Sequence, residues 1–259
     1  ALKLADCWRK PVLSLWKMSL PLLWALALVF STGTKAWSLS PSEVTANAPA
    51  PEVLTALPRA KVGAPYIDGL KQAANFKDYR VECQLFTTSG NAWKSFGSAD
   101  LSYKQTDLLR AEIKSSDYRN GSVVVELADG TVRGRGGGLL RALTMNLEPN
   151  ARSIRLPTGY SLASSDFLSL LSAVRNSITR GASASATNSS VNLKLFSQPV
   201  LVLLIENGAT KEVSEAVFLH HSTRVPVGWG TYKDGRPSAL VFFQGLTENQ
   251  GLSEDLFHL

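Results

Sequence analysis

Short stretches in which every second residue is apolar recur along the chain, and this period constrains the fold more than any other feature. In residues 80–85 the side chains of Val81, Cys83 and Leu85 alternate with charged and polar ones. Because successive side chains of a β-strand point to opposite faces, this period predicts strands with one apolar and one polar face. The same alternation continues at Leu101 and Tyr103, at Leu109, Ala111 and Ile113, at Val123, Val125 and Leu127, and at Leu143, Met145 and Leu147. We therefore predict an α+β protein that is mainly antiparallel β.

Two turns support antiparallel pairing. Asp129-Gly130 and Asp234-Gly235 each separate two strand-like stretches, and Asp-Gly supplies the positive φ angles that a two-residue hairpin needs. Residues 200–205 are apolar without alternation, which is typical of a strand covered on both faces.

The chain also carries helical patterns. Apolar residues recur at helical spacing from residue 165 to 179, with Gly181 after the end, and Ser164 or Ser165 is the predicted cap. A shorter amphipathic helix, interrupted at Gly69, is predicted over residues 64–77. Residues 182–190 are small, polar and aperiodic, and they predict a mobile surface loop.

The first 38 residues differ from the rest of the chain. A cationic start precedes an apolar run at residues 20–30, followed by small side chains up to Ser38, which is typical of a secretory signal peptide. The alternatives are an uncleaved membrane anchor and a buried helix. Met18 is a candidate start of the signal peptide, with residues 1–17 upstream of it. Residues 39–63 are rich in proline and show no sustained period, so we predict a flexible linker there and one folded domain over residues 64–259.

Charge argues against a nucleic-acid partner. The chain holds 27 lysines and arginines against 21 acidic residues, a formal net charge of +6. Five of those cations and only one acid lie in residues 1–38, so the remainder is nearly neutral. The long-range field that attracts polyphosphates is therefore weak once the export segment is set aside.

Motifs that would indicate catalysis or metal binding are missing. The glycine-rich stretch 134–138 lacks the Lys-Ser or Lys-Thr of a phosphate loop, and it predicts a flexible turn or bulge. His220 and His221 are adjacent, so in a strand they point to opposite faces and do not chelate one metal. No Gly-x-Ser-x-Gly elbow or Cys-x-x-Cys pair occurs. We predict no catalytic residue, no metal site and no cofactor.

Two stretches resemble the LolA-like family of exported lipoprotein and lipid carriers. Residues 97–113 are similar to the family's entry into paired strands, and residues 221–235 with 251–257 are similar to its closing segment. The resemblance covers about residues 64–259 and implies an incomplete, half-open antiparallel barrel with a helical lid over an apolar concave face. In the lipoprotein carriers an arginine before a proline couples lid closure to cargo release. This chain has Gln105 and Thr106 there, which makes dedicated lipoprotein sorting a less fitting role than binding of an apolar ligand.

The predicted ligand site is an apolar cavity between the sheet and the lid helix. For every lining residue the alternative is an ordinary filled core, and Gln105 and Gly181 are the predicted lid positions. The predicted lining consists of Val81, Cys83, Leu85, Leu101, Tyr103, Leu109, Ile113, Val123, Val125, Phe167, Leu170 and Leu171.

Three functions are compatible with these patterns. The first is an exported, non-enzymatic carrier or chaperone that binds a lipid tail or a lipidated protein, with an envelope membrane protein as a further partner. It would be periplasmic and soluble after signal cleavage, or tethered to the inner membrane by an uncleaved signal. The second is an envelope sensor or protein-interaction domain on the same fold. The third is an exported hydrolase, which needs a polar pocket.

Overall fold

The computed structural model describes residues 38–90, 92–114 and 119–259. The predicted signal segment lies outside the described residues except for Ser38, and residues 38–259 form one compact unit. Within the described residues, no helix is both long enough and apolar enough to cross a membrane.

One sheet of twelve strands organises the described residues, and every ladder in it is antiparallel. The strands are β1 (Arg59–Val62), β2 (Asp78–Ser89), β3 (Ala92–Lys104), β4 (Leu108–Ile113), β5 (Val123–Glu126), β6 (Val132–Arg135), β7 (Thr144–Leu147), β8 (Ser183–Thr187), β9 (Val200–Glu206), β10 (Val213–His220), β11 (Pro226–Lys233) and β12 (Arg236–Glu248).

Two meanders make up this sheet. Its order is β1-β8-β9-β10-β11-β12-β2-β3-β4-β5-β6-β7, so β2–β7 and β8–β12 each run consecutively and meet where β12 pairs with β2. The ends β1 and β7 do not pair with each other, and the sheet stays open. The predicted open antiparallel β architecture is confirmed. Both Asp-Gly hairpins are also present, between β5 and β6 and between β11 and β12.

Two helices cover one face of the sheet, which we call the inner face. These are α3 (Ala64–Ala73) and α4 (Phe167–Thr179), numbered after two earlier helices, α1 (Pro41–Asn47) and α2 (Pro51–Thr55). The apolar stripe of α4 is buried as predicted, although Asp166 is its cap, since the Asp166 carboxylate accepts a hydrogen bond from the Ser169 N–H at 2.9 Å. The helix α3 passes through Gly69 without a break.

The prediction of a flexible linker over residues 39–63 is wrong. Pro41 and Pro51 occupy the first turns of α1 and α2, where proline's missing N–H costs nothing. A capping box between Ser40 and Glu43 starts α1. Leu39, Val44 and Leu54 are buried on the outer face of the sheet, in one cluster with residues of β2, β3 and β9–β12. The folded unit therefore begins at Ser38 rather than at Ala64.

The prediction of a mobile loop over residues 182–190 is also wrong. Residues 183–187 form β8, which pairs with β1 on one side and β9 on the other. Ala184 and Ala186 are buried on the inner face. The alternation is real, but alanine and serine differ too little in hydrophobicity to reveal it. Gly181, with a φ of +102°, supports the turn after α4.

The C-terminal residues cover the outer face of the other meander. Leu252 and Phe257 pack there with Leu108, Val123 and Val125. The buried carboxylate of Asp78 anchors this segment, because it accepts hydrogen bonds from the backbone N–H groups of residues 250 and 251 at 2.7 and 3.0 Å.

Candidate functional site

An apolar cavity of about 410 Å³ lies between the inner face of β2–β7, α4 and the segment of residues 149–166. Most of its wall is aliphatic or aromatic. The segment contributes Ile154, Leu156, Tyr160 and Leu162, and the sheet contributes residues from β2–β7 as well as Trp229 of β11 and Phe243 of β12. A cavity of this size and chemistry is suited to an apolar ligand.

Six of the twelve predicted lining residues border the cavity. Five others are buried in the same inner core but lie beyond the cavity wall, and Val125 is on the outer face. Those bordering the cavity are Cys83, Leu85, Leu101, Ile113, Val123 and Leu170, and those beyond it are Val81, Tyr103, Leu109, Phe167 and Leu171.

Stacked rings fill the inner face beyond the cavity wall. The ring centroid of Tyr79 lies 5.2 Å from that of Tyr103 and 4.9 Å from that of Phe167. The Tyr79 hydroxyl also accepts a hydrogen bond from the Phe167 N–H at 3.0 Å, which fixes the start of α4. Phe243 borders the cavity and meets Phe167 edge-on at 5.2 Å, which connects the cavity wall to these stacked rings.

The predicted phase of β5 is wrong. In the observed register Val124 pairs with Ala111 and Gly134, which puts Val124 on the inner face and at the cavity wall. Val123 and Val125 pack on the outer face instead, although Val123 also borders the cavity. Three consecutive valines have no alternation, so the sequence contains no signal for the phase of this strand.

Small residues on the inner face keep the cavity open. Gly97 stands opposite Leu85, and Ala99 stands opposite both Cys83 and Ile113. Across the sheet, Gly134 has no side chain, and a Cβ there would lie 2.6 Å from Leu147 Cδ1. A core needs large side chains opposite small ones to reach full density, and here the covering helix does not fill the gap.

A largely buried carboxylate fixes two aromatic rings of the cavity wall. Glu215 of β10 accepts hydrogen bonds from the Tyr160 hydroxyl at 2.9 Å and from Trp229 Nε1 at 2.8 Å. Burial raises the pKa of Glu215, and these two donors oppose that rise. Burial and the neighbouring Glu215 charge also raise the pKa of Tyr160, which keeps its hydroxyl protonated as the donor. We call these three residues the Glu215 latch.

The glycine-rich stretch forms part of the cavity mouth. The N–H of Gly137 donates to Ser122 Oγ at 3.1 Å, and a Cβ on Gly137 would lie 1.9 Å from the Asn120 carbonyl oxygen. The glycine therefore permits close backbone approach rather than phosphate binding. Arg119, also at the mouth, donates to the Ser153 carbonyl on the covering segment.

The predicted lid positions do not border the cavity. Gln105 lies on the exposed turn between β3 and β4, where its Nε2 donates to Asn75 Oδ1 at 3.1 Å. Gly181 follows the far end of α4. Burial raises the pKa of the Cys83 thiol, which disfavours the nucleophilic thiolate. In residues 38–90, 92–114 and 119–259, no cluster of three or more His, Cys, Asp or Glu side chains is placed to hold a metal ion.

Sequence reasoning missed the part of the wall that other elements supply. Trp229, Val241 and Phe243 come from the second meander, and Ile154 and Leu156 come from a segment without regular period. The alternation along β11 and β12 does indicate which residues share a face. Only the pairing of β12 with β2 brings that face to the cavity.

Comparisons with known proteins identify similar folds. No protein-family model and no curated protein matches the chain. A structure of an uncharacterized conserved protein from Thermus thermophilus is 10% identical with a TM-score of 0.47, covering 75% of this chain and 91% of that one. A LolA superfamily protein from Nitrosomonas europaea is 9% identical with a TM-score of 0.39, covering 76% and 98%. MucB is 11% identical with a TM-score of 0.48, covering 76% and 62%. The family that the sequence resembles is therefore among the similar structures.

Proposed function

We propose that this protein is an exported, non-enzymatic carrier that holds one hydrocarbon chain of a lipid or lipidated protein in the 410 Å³ cavity. The cavity itself is the observation that carries the proposal. Its wall is almost entirely apolar, whereas a core of ordinary density would leave no such space. Binding of an apolar chain lowers the free energy, because the chain supplies the van der Waals contacts that the cavity walls lack.

The volume sets the expected length of the chain. A water-sized group occupies about 30 Å³, so 410 Å³ accommodates on the order of a dozen methylene-sized groups. Each buried methylene contributes about 0.8 kcal/mol, which gives a strong dependence of affinity on chain length. Binding should stop improving once the chain fills the cavity.

A binding role suits the polar groups in the wall better than catalysis does. The Tyr160 hydroxyl is engaged by Glu215, the Cys83 thiol is protonated, and Ser122 accepts from Gly137. Hydrolysis requires an activated nucleophile with a base in reach. Export and periplasmic location belong to the same proposal, and they rest on the signal-like pattern of residues 1–38.

The test is a chain-length series on the full-length protein. Saturated fatty acids of increasing length compete with the apolar fluorophore N-phenyl-1-naphthylamine. We expect each added pair of methylenes to tighten binding roughly tenfold until the cavity is full, because the pair contributes about 1.6 kcal/mol. Longer chains should then show a plateau.

A matched pair of variants localises the binding. Ala99 points into the cavity, so Ala99→Trp should abolish both fluorophore and fatty-acid binding. Ala92 is exposed on the same strand and does not border the cavity, so Ala92→Trp should bind like the parent. Equal binding by both variants would contradict the proposal. Absence of any chain-length dependence, together with lipid-independent capture of one stoichiometric protein, would favour the interaction domain instead.

A further inference from the structure

Four large apolar side chains are exposed together at one edge of the sheet. Leu139 is fully exposed, and Leu140, Leu143 and Met145 are 55%, 56% and 55% exposed. Among the described residues, the other exposed large apolar side chains are only Val53 and Leu246, which are far apart in the chain. Clustering of this kind on a protein surface marks an interaction site, whereas single exposed apolar residues do not.

These residues form a lip, residues 136–147, at the mouth of the cavity. The lip consists of a glycine turn, the short 3-10 helix Gly138–Ala142 and the edge strand β7. Leu140 and Met145 belong to two surfaces, because they are half exposed and they also border the cavity. The exposed apolar surface is therefore continuous with the cavity wall.

Positive charge surrounds the lip. Residues 130–160 contain five arginines and a single acidic residue, Glu148, although residues 39–259 are nearly neutral as a whole. Arg141 lies within the lip, and Arg152 and Arg155 are exposed on the covering segment. Within the described part of the chain, none of these three makes an ion pair.

We infer that the lip docks on the surface of an anionic lipid bilayer. Exposed leucine and methionine side chains lower their free energy when they enter the boundary between headgroups and acyl chains, and arginines there contact lipid phosphates. A second copy of the chain fits this surface less well, since a two-fold contact would bring the same arginines together without matching acids. Docking goes beyond the proposed cargo, because the lip and its charges exist whether or not the cavity is filled.

Docking at this place has a consequence for transfer. Since Leu140 and Met145 line both the lip and the cavity, a hydrocarbon chain leaving the bilayer at the lip reaches the cavity wall without crossing bulk water. Exposing a chain to water costs about 0.8 kcal/mol per methylene, which the continuous apolar surface avoids.

A local fluorescent probe tests the inference without interference from the apolar run at residues 20–30. In a Cys7→Ser background of the full-length protein, an environment-sensitive fluorophore is attached to Leu139→Cys. The control is the same fluorophore at Val53→Cys, since Val53 is also an exposed apolar residue, at 52%, but lies on α2. We expect a blue shift at position 139, and none at position 53, when phosphatidylcholine vesicles containing phosphatidylglycerol are added.

Charge variants complete the test. Arg141→Gln with Arg152→Gln should weaken vesicle binding, measured at position 139, roughly 25-fold, because each arginine contributes about fivefold near an anionic surface. The matched pair Arg80→Gln with Arg236→Gln, exposed elsewhere, should leave the response unchanged. An equal response at positions 139 and 53, or an equal response to pure phosphatidylcholine vesicles, would overturn the inference. A shift that rises with protein concentration in the absence of vesicles would overturn it too, and would identify a second copy as the partner.

Discussion

The two meanders of the sheet share one topology but differ in how completely they are filled. In β8–β12 both faces are covered, and every residue from Val200 to Ile205 is buried. Outer-face residues such as Phe218 and Phe242 pack against Phe196 of the segment between β8 and β9. In β2–β7 the inner face carries Gly97, Ala99 and Gly134 beside the cavity, and the strands end in the exposed β7. The antiparallel topology therefore does not determine whether the inner face is filled or borders a cavity. The volume of the side chains on that face determines it.

The largest expected effect contrasts one leucine from each meander. Leu204 is fully buried in β9, so Leu204→Ala should lower the free energy of unfolding by about 3–5 kcal/mol, through lost burial and the space left behind. Leu140 is half exposed at the cavity mouth, so Leu140→Ala should change it by less than about 0.5 kcal/mol. Urea unfolding followed by circular dichroism measures both. Similar losses for the two variants would remove the distinction between a filled and an open half.

An intermediate effect is expected at the Glu215 latch, which connects the two halves. Tyr160 belongs to the segment that covers the cavity, and Glu215 belongs to the filled meander. Tyr160→Phe leaves the largely buried Glu215 carboxylate with one donor fewer, so the free energy of unfolding should fall by about 2 kcal/mol. Tyr66→Phe is the control, because the Tyr66 hydroxyl has no hydrogen-bond partner among the described residues. A loss no larger than that of the control would mean that the latch does not stabilise the covering segment.

The smallest effect concerns pH at the start of α4. Glu126 of β5 is half buried, and burial together with the charges of Asp166 and Asp107 raises its pKa to about 7 from the ordinary value of 4.5. The folded state therefore binds this proton more tightly than the unfolded state does. Ionisation of Glu126 therefore destabilises the folded state. This destabilisation is zero below pH 4.5, grows as the pH rises from 4.5 to 7, and is complete above pH 7.

The corresponding variant is Glu126→Gln. It should stabilise the protein by about 1 kcal/mol at pH 8, after allowance for solvent screening of a half-exposed group, and by nothing at pH 4. Thermal unfolding at the two pH values measures the difference. Equal stabilisation at both would show that the charge of Glu126 is not the cause. Glu148→Gln, exposed on the loop after β7, serves as a control with no expected pH dependence.

The sequence was informative wherever one strand or helix carried its own period. The strands around Val81 and Leu101 follow from alternation, the two hairpins from their Asp-Gly turns, and the stripe of α4 from helical spacing. The first turns of α1 and α2 contain prolines that also fit a linker, so composition alone predicted the opposite of what forms there. The helices are stabilised by packing of Val44 and Leu54 on a distant strand surface, which no local pattern reveals.

The candidate site was predictable only in part for a similar reason. Cys83, Leu85 and Leu101 line the cavity as predicted, because strand alternation indicates which face of the sheet they share. Whether an inward residue meets a neighbour or a void depends on what stands opposite, as Tyr103 and Leu101 illustrate on one strand. Tyr103 contacts the ring of Tyr79, and Leu101 meets the cavity. That distinction arises from the register of the strands and from the covering segment, and the sequence of a single strand predicts neither.

The pairing of β12 with β2 also governs the order of folding. The seam between the meanders joins residues 78–89 with residues 236–248. The sequence separation between these two strands is most of the length of the folded unit. Contacts of such high contact order form slowly, since a long loop must close before any pairing energy is gained. β2 therefore stays unpaired on one side until β12, the last strand in the chain, is available.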